Sequence, residues 1–155
     1  MGTLVCFHAH PDDESIATGG TLARAKAEGH RTVLVVATGG DHGEVPPDLA
    51  HGESLVDRRR VETQRSCEVL GVDRLVWLGY ADSGMTGWAQ NADPGAFLNA
   101  PLDEAAERLA AVLRDERADV LTTYDWHGGY GHPDHIQVHR VGHRAAELAR
   151  TPRVF

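Results

Sequence analysis

Positive charge, cysteine and long apolar runs are all scarce in this chain, and each shortage excludes something. Its 15 Lys and Arg stand against 23 Asp and Glu, a formal net charge of −8 with neutral histidine. A chain of that balance is not an obviously basic binder of nucleic acid or of an anionic membrane, because condensed phosphates meet net repulsion. The two cysteines, Cys6 in an apolar run and Cys67 in a helical pattern, suit small buried thiols in a reducing compartment better than a disulfide framework. No run approaches the roughly 18 apolar residues of a membrane-spanning helix, and the N-terminus lacks a basic stretch followed by an apolar core. A cytoplasmic location is therefore expected. Two common phosphate-binding signatures are missing as well: Gly19-Gly20 lacks GxGxxG spacing, and no GxxxxGK[ST] occurs. A GxSxG nucleophile elbow is absent, since Ser83 in Asp82-Ser83-Gly84 lacks the first glycine. What the chain has in excess is histidine, ten residues in an acidic background, and histidine is the commonest metal ligand.

The length of 155 residues, with 41% hydrophobic and 25% charged, fits one ordinary globular domain. Short β-branched or apolar runs at Thr3–Phe7, Arg31–Thr38, Arg74–Leu78 and Asp119–Tyr124 read as buried strands. Between and after them lie helical patterns from Asp13 to about Glu28, Ser54 to Leu70, Leu102 to Glu116 and Pro133 to about Arg150, several closed by glycine or opened by proline. The glycine- and proline-containing stretch from Gly79 to Pro101 reads as a long loop. Strand and helix alternate four times, which predicts an α/β fold: a Rossmann-like, mostly parallel sheet with helices on both faces. In such sheets ligands bind beyond the carboxyl ends of the strands. Those are the positions of HAHPDDE, TGGDHGE, GYADSG and DWHGGYGHPDH.

Two of these segments carry metal-ligating residues. His10, Asp12 and Asp13 sit at the first strand-to-helix turn, where they can supply two ligands and leave one carboxylate free beside a metal. His132, Asp134 and His135 lie at the start of the last helix. Taken alone, either cluster is equally well a set of helix N-terminal polar residues favoured by the dipole. Together, at matching ends of two parallel strands, they describe three N/O ligands with an open position, the pattern of a catalytic zinc. His139 and His143 follow His135 at four-residue spacing, but later turns of the helix point away from the loop edge, so an amphipathic role is expected of them. His8, two residues before His10, reads as a core or supporting histidine rather than a ligand, and His30, His42 and His51 have no evident partner.

AHPDDE near the N-terminus with a later GHPDH resembles the zinc-dependent N-acetylglucosaminyl deacetylase superfamily, called PIG-L or LmbE-like. ATGGDHGE, Arg59-x-x-Glu62, YADSGM and HGGYGHPDH are similar to its mycothiol-pathway branch, which comprises GlcNAc-inositol deacetylases and mycothiol-conjugate amidases. The resemblance implies removal of an acetyl group from an N-acetylglucosamine-containing small molecule. It makes His10, Asp13 and His135 the ligands of Zn2+, or of Fe2+ or another divalent metal, and Asp12 the base that takes a proton from zinc-bound water. It further implies that Asp134 orients His132, which acts near the leaving amine or oxyanion, that Tyr130 polarises the amide carbonyl, and that Glu44, Arg59 and Asp82 hold sugar or inositol hydroxyls.

Two departures from the resembled pattern stand out. The conjugate amidases carry a lysine where this chain has Ala17, which favours a deacetylase over an amidase. Relatives also continue past the point reached here, and Pro152-Arg153-Val154-Phe155 reads as the start of a further strand, so the chain is expected to lack the family's C-terminal portion. A truncated, catalytically silent metal- or carbohydrate-binding domain is the reading from another class. An exposed sheet edge would invite pairing between chains into a homo-oligomer. The expected partner is a small amino sugar, with neither nucleic acid nor membrane.

Overall fold

A computed structural model describes all residues from Met1 to Phe155. Five strands, β1 (Thr3–His8), β2 (Arg31–Thr38), β3 (Arg74–Tyr80), β4 (Val120–Thr122) and β5 (Arg153–Val154), form one sheet in the order β3-β2-β1-β4-β5. Every pairing is parallel. Six helical segments connect them: α1 (Asp13–Ala17), α2 (Gly19–Ala27), α3 (Leu55–Leu70), α4 (Leu102–Asp115), the short turn α5 (Gly128–Gly131) and α6 (Pro133–Ala149).

Side chains alternate across β1 and β2, as the two-residue strand period requires. Val5, Phe7, Val33 and Val35 enter the larger core with Leu109, Leu113, Val138 and Val141 from α4 and α6. Cys6, Leu34 and Val36 face the other way and meet Leu22 and Cys67 from α2 and α3. Both cysteines are buried free thiols on that smaller face, and burial pushes the Cys67 thiol up to about 11. Helix ends follow local chemistry. Ser54 and Asp57 form a reciprocal capping box at the start of α3, and Gly71 closes it in the left-handed region.

The structure redraws three expected elements. The helix expected over Asp13–Glu28 breaks at Thr18 (φ −128°), whose hydroxyl bonds the Glu14 carbonyl and His8 Nε2 instead of facing solvent. β3 runs on to Tyr80, and the stretch after it is not structureless. It contains 3-10 turns at Ala89–Ala92 and Phe97–Asn99 and folds back so that Ala81 bridges Ala96. β4 is shorter than the apolar run suggested. β5 pairs with it through Val120 and Leu121, so the strand expected at the end of the chain is present as an edge.

Leu109 is fully buried at the centre of the larger core. Leu109→Ala should cost about 2–5 kcal/mol of unfolding free energy, whereas Val69→Ala, on the exposed face of α3, should stay within about 0.5 kcal/mol. Urea unfolding of the two variants checks this, and equal midpoints would contradict the assigned core.

Candidate metal centre

Strand order decides where a ligand can sit. The chain moves outward from β1 to β3 and then returns to place β4 on the other side of β1. The loops leaving β1 and β4 therefore diverge to opposite faces and open a crevice at their carboxyl ends. Into that crevice project His10, Asp12 and Asp13 from one loop and Tyr130 and the His132–His135 turn from the other.

At the first loop the backbone is strained. Asp12 is held at φ 93°, a conformation that non-glycine residues adopt at a cost and that functional sites retain. Its N–H donates to Glu14 Oε2 at 3.0 Å. Glu14 is itself buried and also accepts from the hydroxyls of Ser15 and Ser66. This turn sends two adjacent carboxylates in different directions. Asp13 folds back to accept the His10 N–H at 2.9 Å, while Asp12 reaches Arg59 Nη2 at 2.6 Å across the cavity. Arg59 comes from α3 and also donates to the Gly40 carbonyl. Gly40 sits at φ +66°, and a side chain there would overlap the guanidinium and crowd Pro11.

Asp13 Oδ2 lies 3.6 Å from His10 Nδ1 and 3.4 Å from His135 Nε2, and one ligand atom from each of the three residues falls within 4.8 Å of the others. His135 Nε2 is buried with no hydrogen-bond partner. A buried imidazole nitrogen without a hydrogen-bond partner, facing a second imidazole and a carboxylate, fits a divalent cation, and the donor set suits a borderline metal such as zinc. A second group, His10, Asp82, His132 and Asp134, is equally compact, but its carboxylates are already used. Asp134 accepts from the Ser83 N–H and hydroxyl, and Asp82 from the N–H groups of His42 and Gly84. The open set is His10, Asp13 and His135.

The remaining contacts hold these side chains in place. His10 Nε2 pairs with fully buried Asp134 Oδ2 at 3.1 Å, which fixes the tautomer and leaves Nδ1 for the centre. Burial opposes charge on His10, but Asp13, Asp134 and Asp82 outweigh it and raise its pKa well above the ordinary value. The Tyr124 ring stacks on His135 at 4.5 Å between centroids, and its hydroxyl pairs with His8 Nδ1 at 2.7 Å. His8 is thus a buried support, as its strand position suggested. His139 and His143 pair with each other, outside both compact groups.

The expected residues do not all behave alike. The Asp134 carboxylate orients His10, and only its backbone N–H reaches His132, donating to Nδ1 at 3.1 Å. The expected route of orientation therefore differs, because the first turn of α6 points that side chain toward β1. With Nδ1 accepting, neutral His132 carries its proton on Nε2, and burial together with the neighbouring His10 lowers its pKa. Tyr130 lies on the cavity lip, 4.9 Å from the His135 ring. Asp82 lies in the wall, with its carboxylate bound to His10 and to backbone. Glu44 is exposed and outside the cavity: the loop turns at Gly40–Gly43, leaving His42 and Gly43 on the wall. Sequence reasoning missed Glu14, Ser83, Trp88 and Tyr124. The local sequence around Ser83 tests it only as a nucleophile, and its work as a donor to Asp134 depends on a residue 51 positions away.

Over residues 5–146 the chain matches the family "PIG-L: GlcNAc-PI de-N-acetylase". It is 53% identical to a 1D-myo-inositol 2-acetamido-2-deoxy-alpha-D-glucopyranoside deacetylase of Streptomyces avermitilis, with 96% of this chain and 54% of that protein covered. The protein of the same name from Thermobifida fusca is 50% identical, with coverages of 96% and 56%. Among solved structures, the N,N'-diacetylchitobiose deacetylase of Pyrococcus horikoshii superposes with a TM-score of 0.76 at 28% identity, over 97% of this chain and 51% of the other. The chain thus spans about half the length of the relatives it matches.

Because Asp134 fixes the tautomer of His10, Asp134→Asn should weaken divalent-metal binding by about 10–100-fold. Competition against a chromophoric chelator measures this, and an unchanged affinity would remove Asp134 from the support of the centre.

Proposed function

The chain belongs to the PIG-L family of GlcNAc-PI de-N-acetylases, and on that footing we propose that it hydrolyses the acetamide of an N-acetylglucosamine-containing small molecule of GlcNAc-inositol type, releasing acetate and a free amine. The observation that carries this reading is the orphaned His135 Nε2 set against His10 and Asp13, with an unliganded carboxylate, Asp12, beside it in the same cavity. His10, Asp13 and His135 would hold a divalent cation, zinc first among the candidates. Such a cation, when bound, polarises a carbonyl and brings the pKa of water to about 7.

The other roles belong to the chain's own side chains. Asp12 is the proton acceptor: desolvation raises its pKa against the opposing charge of Arg59, making it a stronger base than a fully solvated carboxylate. Arg59 aims that carboxylate across the cavity, and its guanidinium offers further N–H groups to sugar hydroxyls. His132, neutral with its proton on Nε2, donates a hydrogen bond to charge developing at the reacting carbon's substituents, and the proton that Asp12 takes up passes to the departing amine. The Tyr130 hydroxyl, on the lip beside His135, is the donor for negative charge developing on the carbonyl oxygen. Ala17 in place of a lysine favours an acetyl substrate over a thiol-conjugate amide.

Acetate release from GlcNAc-inositol by metal-loaded protein, with chelated protein as control and a cysteinyl-glucosamine amide as the rival substrate, tests the reading. Turnover of the acetamide only when metal is present is expected. Preferential cleavage of the thiol-type amide would make the chain an amidase, and metal binding without any turnover would make it a silent binding domain. Asp12→Asn should lower kcat by about 10²–10⁴-fold while bound zinc stays at one equivalent per chain. Near-normal turnover in that variant would reassign the base.

A further inference from the structure

The cavity at the metal centre has a volume of about 180 Å³, well below the roughly 300–1,000 Å³ of pockets that enclose a whole small-molecule ligand. One acetamido sugar fills such a space, so a ring attached to that sugar must lie outside it, against the lip. Trp88 forms part of that lip. Trp88 is 48% exposed, so an aromatic face beside the cavity is open to a ligand.

Trp88 is not a loose surface aromatic. One edge of the indole rests on Gly84, where a Cβ would come within 2.8 Å of Cε3. Gly84 sits at φ +65° and donates its N–H to Asp82 Oδ1 at 2.8 Å, which ties the platform to the wall beside His10. The loop presenting Trp88 is braced from within by Asn91, whose Nδ2 donates to the carbonyls of Ser83 and Met85 while Oδ1 accepts from Gly87. The Trp88 N–H donates to the Met85 carbonyl, and the Trp88 carbonyl accepts from Asn91. A braced loop holding an open indole against the cavity is a preorganised stacking surface, which binds without first losing rotamer freedom. Trp126 differs, being 67% exposed but outside the cavity lining and packed on its neighbour His127.

We propose that Trp88 is the floor of a second subsite, which stacks on the C–H face of a six-membered hydroxylated ring, a cyclitol or pyranose, joined to the acetamido sugar. The electron-rich face of the indole attracts the polarised C–H groups of such a ring, while its hydroxyls stay directed to solvent and to the polar wall. The subsite rests on the deacetylase reading for the first ring and names what that ring is attached to.

The test compares kcat/KM for an N-acetylglucosaminyl inositol with that for methyl N-acetylglucosaminide, using metal-loaded protein. In Trp88→Ala the ratio of the two should fall about tenfold, carried by KM, and in Trp88→Phe it should stay within about twofold of the original. A ratio that Trp88→Ala leaves unchanged overturns the subsite while the deacetylase reading stands. Binding is read separately from turnover, as the difference in indole emission between the original protein and Trp88→Phe during titration with the inositol glycoside. A saturating change supports the subsite even if no acetate is ever released, an outcome that would defeat the deacetylase reading alone. A flat titration overturns the subsite whatever the turnover.

Discussion

Much of the site depends on one buried contact, that between the Asp134 carboxylate and His10 Nε2. It joins the loop after β1 to the loop after β4, 124 residues apart, and it does so where water is excluded. A carboxylate with no exposed surface is costly unless it is hydrogen-bonded. Ser83 supplies a backbone and a hydroxyl donor, and His10 supplies the third. The loop after β3 is thereby drawn into the same node. Three βα loops converge on one carboxylate, and the His10 ring is held in one tautomer and one orientation as a consequence.

A second constraint sets the direction of Asp12. Asp12 and Asp13 are adjacent in the chain yet meet different partners, Arg59 for one and the His10 and His135 rings for the other. The φ of 93° at Asp12 separates them, and such strain persists only where the surroundings over-determine it. Glu14 pins the Asp12 N–H from within the protein, and Arg59 pins its carboxylate from across the cavity. Both anchors lean on α3, through Ser66 and through Arg59 itself. That helix begins with a capping box and ends in a left-handed glycine, so its position, and with it the aim of Asp12, is set by strong local signals far from the chemistry.

The same sheet order serves both tasks. Placing β1 at the centre, with β2 and β3 on one side and β4 and β5 on the other, buries β1 on both faces and opens the crevice above it. The alternation of Val5 and Phe7 against Cys6 secures the strand, so the loop that follows is launched from a rigid base. Precision at a site comes from such supports rather than from the loop itself.

The sequence by itself determined the class of fold, the four strand-helix alternations, and the sheet edge at which the two histidine- and aspartate-bearing loops meet. These are carried by local chemistry: β-branched runs, helix caps, and paired HPDD and HPDH turns, each readable within a few residues. The break of the first helix at Thr18, the folding back of the segment from Ala81 to Ala96, the removal of Glu44 from the cavity and the turning of the Asp134 carboxylate from His132 to His10 were decided only in three dimensions. So were the supports supplied by Glu14, Ser83 and Tyr124, and the wall supplied by Trp88. The reason is common to them all. Each depends on which donor or ring a residue distant in the chain brings within about 3–5 Å, and strand order and helix rotation set that distance, whereas neighbouring residues do not.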